Sequence, residues 1–231
     1  MKYFLPLFVF VLLLSQPFVS LSASQKQDKE LDMVVSNIQK RYEQAAQLQA
    51  DFIQESVVRA LDRVQRAEGE VWFKKPGMMR WNYHTPNRDQ IVSDGKFFWY
   101  YDQEEKLVVE SNVADIMTTP TTTTFLQGLG NLNEQFSASF SESGKKDDKG
   151  NYVIDLEPKN PTDDELNRFT IIVDPKTWLV SVIHLYDPFG NLTRISFYNL
   201  QINKGISDSV FKFNVPKGVD VIRPPSSANG R

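Results

Sequence analysis

Side chains able to do acid–base, nucleophilic or metal chemistry are sparse in this chain. It holds two histidines, His84 and His184, and no cysteine. The absence of thiols excludes disulfides, thiol catalysis and Cys-ligated metal. A zinc site would need both histidines together with carboxylates. His84 stands in an alternating run with Trp81 and Tyr83, where an exposed or half-buried strand histidine is the plainer expectation. No G-x-S-x-G elbow is present to raise a serine nucleophile out of a sheet. Gly128-Leu129-Gly130-Asn131-Leu132-Asn133 is half of a dinucleotide fingerprint, without its third glycine or a preceding buried strand. Asp147-Asp148 and Asp163-Asp164-Glu165 lack calcium-loop spacing and read as solvated loops. These residue types predict no enzyme, no metal and no cofactor.

What the chain has instead is apolar surface. Aromatic residues make up 12% of it, and they fall in short runs that favour strands. In Phe97-Phe98-Trp99-Tyr100-Tyr101 both faces of a strand would be aromatic, and Trp72 and Phe73 point to opposite faces, as do Phe197 and Tyr198. A sheet with one wet face alternates apolar with polar. Apolar residues on both faces mean either that both are covered or that one lines a cavity. A barrel interior packed solid and a hollow one both remain open at this point. Trp81 and Tyr83 share a face of one strand, with Trp99 on the next strand across a turn, so all three could line one interior.

The elements that position these residues are mostly strands. Leu31, Val34, Val35, Ile38 and Tyr42 recur at helical spacing, predicting a helix over about 29–46 with Asp28 as its cap. Alternation predicts strands at 66–74, 79–84, 88–92, 97–101, 106–110, 136–141, 152–157, 168–173, 179–186 and 193–200, with 211–221 extended. Ser93-Asp94-Gly95-Lys96 reads as a tight hairpin turn, and Asp187-Pro188-Phe189-Gly190-Asn191 as another turn. Thr119-Pro120 opens a short helical insertion weakened by its threonines and glycines. No composition shift or repeat marks a second domain. The fold class expected is mainly β with helices, α+β, around one long antiparallel sheet that must curl or close.

Met1-Lys2, the apolar stretch from Tyr3 to about Leu14 and the small residues around Ser20–Ser24 have the layout of a secretory signal peptide. The expected division is residues 1–22 as leader, cleaved between 20 and 24, and residues 23–231 as one domain. No cysteine follows the apolar run to accept a lipid anchor. The chain carries a net charge of −3, and loss of Lys2 makes it one unit more negative, which argues against nucleic acid as a partner.

Five stretches carry a likeness. They are Ala50-Asp51-Phe52-Ile53-Gln54; Gly69 to Trp81, with Lys75-Pro76-Gly77 at its centre; Ile91 to Lys96 with Trp99-Tyr100-Tyr101-Asp102 after it; Thr119-Pro120; and Phe211 to Val221. In this order and spacing they resemble the outer-membrane lipoprotein carrier proteins, the LolA family. The resemblance implies a half-open antiparallel β-barrel whose hydrophobic cavity is lidded by short helices. It implies a soluble monomeric chaperone of the periplasm that takes triacylated lipoproteins from an inner-membrane ATP-binding-cassette release complex. The lipoproteins are then delivered to an outer-membrane receptor of similar fold.

By the same resemblance, Phe52, Trp72, Met79, Trp81, Tyr83, Trp99 and Tyr101 line the acyl-chain cavity, and Phe125, Leu126 and Leu129 cover it. The family places an arginine before the proline of the central motif, where it tethers the lid. Lys75 stands there in this chain, without arginine's planar fork. Met79 takes the family's apolar position three residues after the proline. The alternative reading is a periplasmic sensor of lipids or lipoproteins built on the same barrel.

Overall fold

A computed structural model of the chain describes residues 20–58, 63–116, 132–160, 168–187 and 190–224. One long helix, α1 (Ser20–Gln44), opens it and twelve strands follow. They are β1 (Gln47–Val58), β2 (Arg63–Lys74), β3 (Met78–Thr85), β4 (Gln90–Asp94), β5 (Phe97–Asp102), β6 (Leu107–Asn112), β7 (Phe136–Phe140), β8 (Tyr152–Pro158), β9 (Arg168–Val173), β10 (Val180–Tyr186), β11 (Leu192–Ile202) and β12 (Asp220–Ile222). Among the described residues, two four-residue helices, α2 (Val113–Ile116) and α3 (Leu132–Gln135), fall between β6 and β7, and a 3-10 turn spans Asp208–Phe211.

All twelve strands form one sheet in the order β12-β6-β5-β4-β3-β2-β1-β11-β10-β9-β8-β7. Every neighbouring pair is antiparallel except β12 with β6. The expected mainly β fold is therefore observed, as an open sheet curled around α1. Val34, Val35, Ile38 and Tyr42 of the helix join one core cluster with residues from both halves of the sheet, including Val71 and Trp81 on one side and Ile154 and Ile171 on the other. The face turned to α1 is the inner face of the sheet.

The helix is longer than its apolar spacing suggests, starting at Ser20 with Asp28 inside it. Its packed stripe begins at Leu31, within the predicted span. Side-chain contacts fix it at both ends of that stripe. The buried Tyr42 hydroxyl accepts a hydrogen bond from the Val180 backbone N–H at 3.1 Å, and its burial pushes the phenol well above its ordinary pKa. Near the N-terminal part, Glu30 pairs with Lys145 of the β7–β8 connection and accepts from the Tyr152 hydroxyl.

One turn and one bulge decide the register that follows. At the β4–β5 hairpin, Gly95 takes φ +91°, and the Asp94 carboxylate accepts from the backbone of Lys96 and Phe97 at 2.8 Å each. Between β2 and β3 the register shifts at Glu68/Gly69. There a Cβ on Gly69 would stand 1.9 Å from the Asn82 carbonyl oxygen, so only glycine fits. After β11 the chain crosses the outer face as a strap. Lys74 fastens it by donating to the Ile206 carbonyl at 2.8 Å and pairing with Asp208 at 2.6 Å. The strap ends as β12 on the edge of β6.

Candidate functional site

Because side chains alternate along a strand, one residue of register decides which face each aromatic occupies. On β3 the inner residues are Met79, Trp81 and Tyr83. Their cross-strand partners are Phe73, Val71 and Gly69 on β2, and Ser93 and Ile91 face Met79 and Trp81 on β4. Ile91 faces Tyr100, and Ser93 faces Phe98. On the other flank Phe52 of β1 faces both Gly69 and Phe197. The missing side chain at Gly69 leaves room for two rings to meet: Phe52 lies edge-on to Trp81 at 4.8 Å and to Tyr83 at 5.1 Å. Trp81 also meets Phe73 at 6.0 Å and Phe197 at 6.2 Å.

This inner face has two zones. Where α1 covers it, it is packed: Phe52 is 1%, Phe73 2%, Met79 5% and Trp81 5% exposed. Further along the strands the apolar side chains are only partly buried, namely Tyr83, Ile91, Phe98, Leu185 and Ile195, and Tyr100 is 36% exposed. The solid and the open readings of the interior thus each describe part of it. The partly covered zone is an apolar trough of the kind that takes long alkyl chains.

Three of the residues expected in the cavity lie on the outer face. Trp99 faces Val92, which faces Arg80, which faces Trp72, a row one residue out of step with Trp81. It is Tyr100, not Trp99, that shares the face of Trp81. Trp99 and Tyr101 pack beneath Phe213 of the strap at 5.7 and 6.2 Å, and the Trp99 indole donates to Glu110 at 3.0 Å. Arg223 donates to the same carboxylate, and these two hydrogen bonds hold Glu110 below its ordinary pKa. Arg80 clamps the strap from below, donating to the Val210 carbonyl at 3.1 Å and to Gln90 at 2.7 Å. Trp72 lines an outer groove with Gln49, Asp51 and Asn199. The strap therefore covers the outer rings of the aromatic run of β5, while its inner rings, Phe98 and Tyr100, belong to the partly covered zone.

Lys75 has partners that the sequence did not suggest. Its ammonium donates to the carbonyls of Tyr42 and Glu43 at 2.8 Å each. These are among the last carbonyls of α1, which carry its negative dipole end, and the Tyr42 carbonyl also accepts from the Ala45 N–H at 3.3 Å. A cation on a flexible stem satisfies both. Burial lowers the Lys75 pKa, and nearby Glu43 opposes that shift. Lys75 thus ties the central motif to the first helix. Thr119 and the lid residues Phe125, Leu126 and Leu129 lie outside the described residues.

His84 is exposed, with Nε2 3.4 Å from Glu70. His184 faces Thr170 and Arg194 on the outer face. Among the described residues no group of three histidines and carboxylates stands close enough to hold a metal, and no helix is long and apolar enough to cross a membrane.

One inner-face feature is absent from the expected set. Beyond Phe52 the inner positions of β1 are Gln54 and Ser56, facing Ile195 and Thr193. Tyr83 donates to the Gln54 amide oxygen at 3.2 Å, and the Ser56 and Thr193 hydroxyls meet at 3.1 Å. The signal for it is the strand's own period: Phe52, Gln54 and Ser56 step from apolar to polar on one face.

Comparison with known proteins places these features in a family. The family model described as "Outer membrane lipoprotein carrier protein LolA" matches residues 43–214. The outer-membrane lipoprotein carrier protein of Azotobacter vinelandii is 29% identical over 215 residues, covering 92% of this chain and 97% of that protein. That of Methylococcus capsulatus is 31% identical over 186 residues, 80% of this chain and 86% of the relative. Among solved structures, an uncharacterized conserved protein from Thermus thermophilus superposes with a TM-score of 0.54 at 11% identity, over 84% of this chain and 99% of that one. That likeness concerns the fold alone.

Proposed function

The chain belongs to the LolA family of outer-membrane lipoprotein carrier proteins, and from that premise we propose that it is a periplasmic lipoprotein carrier. It holds the acyl chains of its cargo in the inner-face trough. The observation that carries this reading is the family match over residues 43–214, which takes in every strand from β1 to β11. The half-covered zone of Tyr83, Ile91, Phe98 and Tyr100 supplies the matching surface. The role is carriage, not catalysis.

The physics of the task implies partners at both ends of the journey. Each buried methylene is worth about 0.8 kcal/mol, so three acyl chains amount to something on the order of tens of kcal/mol of transfer energy. A water-soluble protein does not withdraw such cargo from a bilayer unaided. An energy-consuming complex in the inner membrane loads the carrier, and a receptor at the outer membrane with better-covered apolar surface unloads it. Export requires a leader, assigned to residues 1–22. A cut between Ser20 and Ser24 leaves the packed part of α1, from Leu31 onward, intact. Tyr83 lines the trough beside the packed Phe52, Met79 and Trp81, and covering it is the role proposed for Phe125, Leu126 and Leu129.

The test is release. Mature protein added to spheroplasts that are synthesising lipoproteins is expected to bring an outer-membrane lipoprotein into the soluble fraction in a one-to-one complex. Lipoprotein that stays in the membrane pellet with the protein present would overturn the reading.

A further inference from the structure

Resting on the carrier reading, we infer that the polar end of the inner face is a second subsite, which binds the ester and amide linkages joining acyl chains to the cargo peptide. Gln54, Ser56, Gln65, Arg66 and Ala67 of the β1–β2 hairpin, with Pro86 and Asn87 after β3, surround a cavity of about 490 Å³. It adjoins the trough directly. Phe52 and Gln54 are two residues apart on the same face of one strand, about 7 Å along it, and Tyr83 touches both, its ring against Phe52 and its hydroxyl on Gln54.

The chemistry of the walls selects the ligand. Among the described residues, the polar side chains on the inner side of this cavity are the neutral amides and hydroxyl of Gln54, Gln65, Asn87 and Ser56. Arg66, the charged residue of the described lining, pairs with Glu55 and Glu68 at 3.7 and 3.9 Å. A phosphate would need cations and an ammonium would need carboxylates. A neutral ester or amide carbonyl needs N–H and O–H donors, and donors are left over here. Gln54 commits one amide N–H to Ser56, at a long 3.5 Å, which leaves its second for a ligand. Ser56 and Thr193 share one hydroxyl proton between them, so the other proton is available whichever way that bond runs. Gln65 lies on the same face, opposite Ser56. A molecule with alkyl chains and a carbonyl-bearing head would lay the chains along Tyr83, Ile91 and Ile195 and bring the head to Gln54, Ser56 and Thr193.

The experiment compares two probes on the mature protein. One is a peptide beginning with N-palmitoyl, S-dipalmitoylglyceryl cysteine; the other is palmitate, which has the chain without the ester and amide linkages. With Gln54→Leu and Ser56→Ala combined, lipopeptide Kd is expected to rise about tenfold and palmitate Kd to stay within twofold. Should that double variant not fold, Ser56→Ala alone removes a single oxygen, and a selective loss of about threefold is expected. Parallel changes for the two probes, or no change for either, would overturn the linkage subsite and leave the carrier reading standing. A wild-type protein that binds palmitate but not lipopeptide would overturn both.

Discussion

At the scale of single residues, the molecule turns on where long side chains find partners. Lys75 is the clearest case. Its sequence position suggests a lid contact of little consequence for stability, yet the ammonium closes the end of α1. Lys75→Leu leaves two helix carbonyls without that partner and is expected to cost about 1–2 kcal/mol. Urea denaturation checks this, and an unchanged midpoint would contradict it. Trp81, ringed by three phenylalanines, is expected to cost about 3–5 kcal/mol when truncated to alanine. His184 gives a pH dependence. Burial first, and Arg194 second, lower its pKa below 6.5, with Asp155 opposing them. Its neutral form is thus favoured in the folded state. The corresponding stability is fully present above pH 6.5 and is lost as pH falls from there through the lower folded-state value. Melting temperatures measured from about pH 7.5 to 5.5 should decline, and His184→Gln should flatten the decline.

At the scale of elements, strands and turns were far more legible than register. The Asp94-Gly95 turn and the strands around it stand close to where alternation puts them, because turn chemistry and period-2 patterning are local. The face assignment of Trp99 was not legible. It depends on pairing Val92 with Trp99 across that turn, and one residue of slip exchanges Trp99 for Tyr100. Strand β1 itself escapes pattern reading: Asp51, Gln54, Glu55 and Ser56 place polar residues on both its faces, the inner ones serving the cavity end of the trough. Gly69 escapes it too, since a glycine inside a strand looks like a weakness until the approach of the Asn82 carbonyl is seen. Gly69→Ala must push β2 and β3 apart beneath Phe52. It is expected to lower the melting temperature by several degrees, equivalent to about 2 kcal/mol or more. Ala67→Gly, on the same face of β2, should cost about 1 kcal/mol or less.

At the scale of the whole molecule, a single sheet carries two covers. Helix α1 seals part of the inner face, and the strap from Gly205 to Ile222 seals aromatics on the outer face. The remaining inner surface is apolar in the middle and polar at one end. That division suits a cargo with alkyl chains joined to a peptide, and it explains why aromatic residues on both faces of β5 were ambiguous in the sequence: the outer rings lie under the strap and the inner ones line the partly covered trough. The central claim is that this trough carries lipoprotein acyl chains. The most direct measurement is native mass spectrometry of the protein isolated from the periplasm of its own cell. The account predicts a population one acylated lipoprotein heavier than the bare chain, lost in Tyr83→Glu, where a carboxylate enters the trough. Protein recovered bare while lipoproteins are being exported, or an equal load on Tyr83→Glu, would contradict it.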